Sequence, residues 1–171
     1  LKVKTRIPRT GQGCCVSPDG KRIYYSSNGK IMRYLVAKGR FDAFAVHENA
    51  TPLVMSPGGK YLACIRAEDT RYHVDIYDVD RQTVVRSIDV SNHQTALFNA
   101  VRFLPGEQRV AVPENNFVLI HDIATGELVS RIGSSDYNQS ISDIAFVAGE
   151  PRLLAAYQVH FRDCTLVMWK Y

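Results

Sequence analysis

The sequence predicts an all-β chain made of about four copies of one antiparallel, four-stranded meander, and three observations carry that reading. A strand-then-turn phrase recurs: Val16-Ser17-Pro18-Asp19-Gly20-Lys21, Met55-Ser56-Pro57-Gly58-Gly59-Lys60, Phe103-Leu104-Pro105-Gly106-Glu107 and Phe146-Val147-Ala148-Gly149-Glu150. Successive steps between Ser17, Ser56, Leu104 and Val147 are 39, 48 and 43 residues. A second phrase follows each copy, at Arg33-Tyr34-Leu35, Ile76-Tyr77-Asp78, Ile120-His121-Asp122 and Met168-Trp169-Lys170, with steps of 43, 44 and 48 residues. Two landmarks in one order at one period mark a repeated supersecondary unit. Third, period-two alternation and β-branched or aromatic residues dominate, with no sustained 3.6-residue period.

Taken in order, residues 1–9 read as an outer strand, because Val3, Thr5 and Ile7 alternate with Lys2, Lys4 and Arg6. The first full unit spans 12–47, with strands expected near 13–17, 22–27, 30–36 and 41–47. The second spans 51–90, with strands near 52–56, 61–66, 73–79 and 84–90. The third spans 97–133, with strands near 100–104, 109–113, 117–123 and 127–132. Turn pairs such as Asp19-Gly20, Asn28-Gly29, Gly58-Gly59 and Thr125-Gly126 separate them. A partial unit, 141–171, supplies three strands near 143–147, 152–159 and 165–171. Helix content is expected below about 10%, against about one-third in an average globular chain.

Composition sets the class. With 171 residues, 46% hydrophobic and 22% charged, the chain has the balance of one folded domain and not of a disordered segment. No apolar run approaches the roughly 18 residues of a membrane span, so no membrane partner is expected. The chain opens on Leu1 without an initiator Met, which leads us to expect further sequence upstream. Cys14, Cys15, Cys64 and Cys164 show no CxxC spacing and read as four free thiols in a reducing, cytoplasmic setting. The net charge is +4, and Lys2, Lys4, Arg6 and Arg9 form the only basic cluster, which fits one solvated strand face.

At its two landmarks the chain resembles a degenerate WD-repeat β-propeller of about four repeats. That family carries a Gly-His before the inner strand, Ser-Pro-Asp-Gly after it, an Asp between second and third strands, and Trp-Asp closing the third. His47 and His93 lie close to the family's His position. Asn28, Asp69, Asn115 or Asn116, and Asp163 fall in the turns of its Asp; Tyr34, Tyr77, His121 and Trp169 hold its Trp slot. Leu35, Asp78, Asp122 and Lys170 follow that slot. The resemblance implies structural roles for His47, His93, Asp69, Tyr34, Tyr77, His121 and Trp169, with Trp169 substantially buried. It also implies a His–Ser–Asp–aromatic tetrad, approached only in the second unit by His47, Asp69 and Tyr77. Its serine is replaced by the Ala63-Cys64-Ile65 run, so packing is expected to dominate. The expected fold is therefore all-β propeller blades, about four of them, as part of a larger propeller. A four-bladed ring within this chain is the rival architecture.

No convergent catalytic set is visible. The five histidines, His47, His73, His93, His121 and His160, are never spaced as ligand pairs, and Gly11-Gln12-Gly13 lacks the third glycine and helix of a nucleotide loop. No catalytic, metal-binding or cofactor-binding residue is assigned, and no cofactor is expected. What remains is the face carrying the loops before the inner strand and after the second strand, with Arg66, Asp69, Arg71, Tyr72, Phe98, Asn99, Tyr137 and Asn138 as candidate partner contacts. Arg, Tyr and Phe are types suited to interface anchors. The function expected is a non-catalytic protein-interaction scaffold within a larger multidomain protein. Its partners would be other proteins or domains of the same polypeptide, with self-association through open edge strands. One alternative is a periplasmic-type propeller enzyme or surface protein with a channel cofactor, although the repeated His, Arg or Trp ligands it would need are absent. A basic nucleic-acid-binding propeller is the other, and it rests on the +4 charge alone.

Overall fold

The computed structural model describes residues 13–47, 50, 52–69, 71–90, 101–135, 140–147, 149–159 and 163–171. The expected outer strand at 1–9 lies outside them, as do His93, Phe98, Asn99, Tyr137, Asn138 and His160. The chain is all-β. Its first sheet is β1 (Cys14–Val16), β2 (Arg22–Ser27), β3 (Lys30–Leu35) and β4 (Arg40–Val46). The second is β5 (Leu53–Met55), β6 (Tyr61–Glu68), β7 (Arg71–Asp78) and β8 (Thr83–Asp89). The third is β9 (Arg102–Phe103), β10 (Arg109–Glu114), β11 (Phe117–Asp122) and β12 (Leu128–Gly133). The fourth holds β13 (Ser140–Phe146), β14 (Arg152–Val159) and β15 (Asp163–Lys170). Each sheet is an antiparallel meander in chain order. The only helical turn among the described residues is a three-residue 3₁₀ piece at Val36–Lys38, ended by Gly39 in the left-handed region.

The repeated phrase is one turn used four times. Backbone N–H groups of Gly20, Gly59, Glu107 and Glu150 donate to the carbonyls of Ser17, Ser56, Leu104 and Val147, three residues earlier, at 2.8, 2.9, 3.0 and 3.3 Å. Gly20 and Gly59 sit at φ of 69° and 79°, where a Cβ would be strained. In the first copy Ser17 Oγ donates to Asp19 Oδ1 at 2.6 Å, which fixes the turn locally. In the second the Tyr61 N–H donates to Ser56 Oγ at 2.9 Å.

The second landmark is likewise one register. Tyr34, Tyr77, His121 and Trp169 pair across the sheet with Ile23, Leu62, Val110 and Leu153. The carboxylates after two of them cap the next turn: Asp78 Oδ1 accepts the Asp80 and Arg81 N–H groups at 3.1 and 2.9 Å, and Asp122 Oδ1 accepts that of Thr125 at 3.0 Å.

Three apolar cores lie between successive sheets. Tyr24, Ile31 and Phe44 of the first meet Leu53, Leu62 and Tyr77 of the second. Ile65, Val74 and Ile76 meet Phe103, Val110 and Val112 of the third. Val118, Ile120 and Ile132 then meet Ile141, Ile144 and Leu153 of the fourth. In the second and third blades the inner strands therefore offer one apolar set to the preceding blade and the alternate set to the following one, as period two requires.

Trp169 is half-buried, not deeply enclosed as its slot implied. Among the described residues β15 pairs only with β14. Tyr34, Tyr77 and His121, each flanked by a fourth strand, are buried.

Candidate interaction surface and the buried polar cluster

The hairpin β6–β7 carries four of the residues expected to meet a partner. Arg66, Asp69, Arg71 and Tyr72 surround its turn, with Glu68 opposite Arg71 and Ala67 opposite Tyr72. Asp69 takes a φ of 52° at the tip, a left-handed conformation that a short carboxylate side chain tolerates. Asp69 and Arg71 are exposed, and Tyr72 is half-buried against the core between the second and third blades. The remaining candidates, Phe98, Asn99, Tyr137 and Asn138, lie outside the described residues.

Arg66 points to other work. Its Nε donates to Asp75 Oδ2 at 2.8 Å, and its Nη1 is paired with Glu68. Asp75 is the centre of a buried polar cluster on the side of the second blade that faces the first. Cys64, Asp75 and Ser87 stand directly opposite one another across β6, β7 and β8. Ser87 Oγ donates to Asp75 Oδ1 at 2.6 Å. His47, just after β4, lays its Nε2 3.3 Å from Asp75 Oδ2 and 3.3 Å from Cys64 Sγ. The Tyr77 ring meets the imidazole edge-on, with centroids 6.2 Å apart.

This corrects the expected tetrad. The acid beside His47 is Asp75, within the third strand of the blade, and not Asp69 at the turn. Asp69 is exposed at the hairpin tip, whereas Asp75 points inward one residue from Val74 and two from Tyr77. Sequence reasoning missed Asp75, although a lone carboxylate at i−2 from an aromatic shares that aromatic's strand face. The hydroxyl thought lost comes from Ser87 on the outer strand, and Cys64 stands beside the imidazole.

The electrostatics follow from burial and partners. Burial pushes the Asp75 carboxyl up, but hydrogen bonds from His47, Ser87 and Arg66, with the charge of Arg66, outweigh it and hold the group down at about 2. The same bond to Asp75 raises Arg66 above its ordinary value. Burial pushes the Cys64 thiol and the Tyr77 phenol well up, so neither is a ready nucleophile or base. A cleft of about 500 Å³, lined by Val46, Arg66, Glu68, Tyr77 and Val84, opens beside the cluster. Among the described residues no three His, Cys, Asp or Glu side chains gather as metal ligands. All four cysteines are free, with Cys14 and Cys164 exposed. Among the described residues no helix is long and apolar enough to cross a membrane.

Solved structures with the same arrangement of sheets decide the fold. A structure of the RRP9 WD40 repeats is similar over 99% of this chain and 51% of its own length, with a TM-score of 0.73 at 17% identity. The architecture is that of β-propeller blades. A Kuenenia stuttgartiensis hydrazine synthase is similar over 99% of this chain and 48% of its own, with a TM-score of 0.72 and 19% identity. The Cps50 (Swd1) β-propeller domain of Myceliophteria thermophila matches over 91% and 51%, with a TM-score of 0.71 and 14% identity. These likenesses are of fold alone. The chain spans about half the length of these propeller structures. No family model matches the chain, and no curated protein does.

Proposed function

We propose that the chain is a non-catalytic protein-interaction scaffold, a WD-repeat-like propeller segment working within a larger multidomain protein in the cytoplasm. The observation that carries this reading is the division of polar chemistry in the second blade. Buried His47, Asp75 and Cys64, with half-buried Arg66 and exposed Ser87 at their edge, are committed to one another in a network that ties the strands of the blade together. Among the described residues of the hairpin tip, Ala67, Glu68, Asp69 and Arg71 face solvent, beside a half-buried Tyr72. A polar rim around an aromatic is the composition of a recognition surface. The free thiols support a reducing location. The WD40 and β-propeller neighbours fit a scaffold, while the hydrazine synthase lends its fold and no chemistry to this chain.

The test is capture of partners from a cell extract by the wild-type chain and by the Asp69→Asn/Arg71→Glu variant, which changes only exposed residues. The variant is expected to keep its β-sheet circular dichroism and melting temperature and to lose captured proteins that the wild type retains. An unchanged set of partners would remove this hairpin from the interaction surface.

A further inference from the structure

The fold gathers cations of the first two blades that the sequence keeps apart. Antiparallel pairing sets Arg22, Leu35 and Arg40 directly opposite one another, where β2 and β4 begin and β3 ends. The Val36 N–H donates to the Lys21 carbonyl at 2.9 Å, and Lys38 closes the short 3₁₀ turn that follows. Arg22 Nη1 lies 3.8 Å from Asp80 Oδ1, across the joint between the blades. Arg81 follows Asp80, and the Val79 N–H ties that turn to the Lys60 carbonyl at 2.9 Å. Lys21, Arg22, Lys38, Arg40, Lys60 and Arg81 thus line one rim, and all but half-buried Arg22 are exposed.

Little on the rim neutralises them. Among its described residues the exposed carboxylates are Asp19 and Asp80. Asp78 is buried and accepts the Asp80 and Arg81 N–H groups, and Asp42 is committed to Arg33 by two bonds of 2.9 and 3.0 Å. The same end of the third and fourth blades is balanced instead. Arg109 stands opposite Asp122, and Arg152 pairs with Glu150 at 3.1 Å. A convergence of like charges at a surface repels itself and raises the local positive potential, which attracts an anionic partner.

We propose that this rim docks an acidic, extended segment of another protein. Three features favour carboxylates on a peptide over the phosphates of a nucleic acid. Val36 stands 45% exposed among Lys21, Lys38 and Arg40, an aliphatic spot that an apolar residue of a peptide covers and a phosphate backbone does not. The rim offers no open ring on which a base could stack. Tyr61 is taken by Lys60 Nζ, 4.8 Å from its centroid, and by the Phe103 ring stacked at 6.3 Å, while Phe41 lies on the other face of its sheet against Tyr34 at 4.7 Å. Asp19 and Asp80 interrupt the cations, which suits discrete carboxylates better than a continuous row of phosphates. The rim lies at the opposite end of β6 from the hairpin of Asp69 and Arg71, so the two surfaces succeed or fail separately.

Fluorescence anisotropy of the purified chain with a labelled peptide of aspartates and interspersed valines tests the site. Saturable binding is expected, weakening as salt rises from about 0.1 M to about 1 M and the screening length falls from about 10 Å to about 3 Å. Lys38→Glu/Arg40→Glu on the first blade and Lys60→Glu/Arg81→Glu on the second should each weaken binding roughly ten-fold or more, because attraction becomes repulsion. All four positions are exposed, so both variants should keep their β-sheet spectra. Arg152→Glu/Lys170→Glu makes the same change of charge at an exposed cross-strand pair of the fourth blade and should leave binding nearly unchanged. Equal losses from all three variants overturn the proposal, since net charge alone would then govern binding. Absence of saturable binding overturns it as well. So does equal or tighter binding of a labelled oligothymidine of the same charge, which would give the rim to nucleic acid.

Discussion

The second and fourth blades share a ladder and differ in what covers it. Leu62–Tyr77 in one and Leu153–Trp169 in the other are the same cross-strand pair. The second blade has neighbours on both faces, an outer strand, and a polar network that ties β6, β7 and β8 to the residue following β4. The fourth has three described strands, one covered face, and leucine and methionine in solvent on the other. Identical local rules thus yield a buried site in one blade and an open apolar face in the other. Position in the arc decides which residues contribute stability and which remain available for association.

The largest expected effect breaks that comparison most directly. Ile76→Ala removes a fully buried side chain, which costs about 2–5 kcal/mol. Met168→Ala, at the matching register, should change the stability of the single chain by no more than about 0.5 kcal/mol. Denaturant unfolding, at dilutions where chains are single, reads both. Equal losses would mean that the open face of the fourth blade is covered after all.

That contrast also marks what was legible in the sequence. Turn chemistry and alternation are local, so the Ser17, Ser56, Leu104 and Val147 turns, the four sheets and the equivalent aromatic positions could be read from spacing. The expected and observed strands differ mainly at their ends, as at β1 and β9, which are shorter than the spacing predicts. Burial is not local. The spacing marked the blade of Trp169 as a three-stranded partial unit, but its slot in the repeat was still taken to imply more burial than the residue has. The polar cluster was half legible: His47 stood out, but the carboxylate expected beside it was Asp69, and Asp75 six residues on was missed. Only the pairing of β7 with both β6 and β8 sets Asp75 between Cys64 and Ser87.

The next effect sharpens the account of the second blade. Asp75→Asn leaves His47 and Arg66 facing a neutral group, and breaking a buried charged pair of this kind costs about 3 kcal/mol. Asp143→Asn, which loosens the exposed Arg102–Asp143 pair of 2.6 Å between third and fourth blades, should cost about 1 kcal/mol or less. The melting temperatures of the two variants give the ranking, and a reversal would show that the inter-blade pair carries the stability assigned to the cluster.

A smaller effect appears as pH dependence. The folded Asp75 carboxyl titrates at about 2, below its ordinary value of 3.8. Its contribution is therefore complete above pH of about 4 and is lost as pH falls through about 2, for a total of about 2 kcal/mol. Unfolding free energies between neutral pH and pH of about 2 should fall less steeply in Asp75→Asn than in the wild type. Parallel curves would show that Asp75 is not held ionised by its neighbours.

The smallest effect separates Asp69, the carboxylate expected beside His47, from Asp75, the one found there. Asp69 lies at the exposed tip with a φ of 52°, and asparagine tolerates that left-handed conformation about as well as aspartate. Asp69→Asn keeps the side chain's size and removes only a solvated charge, so its stability should stay within about 0.5 kcal/mol of the wild type. It should also leave the acid limb of the pH profile unchanged, because that limb belongs to Asp75. A loss from Asp69→Asn comparable to that from Asp75→Asn would return the histidine's partner to the turn and undo the geometry of β7. If stability holds while partner capture drops, Asp69 belongs to the outer surface of a blade whose inner carboxylate does a different job.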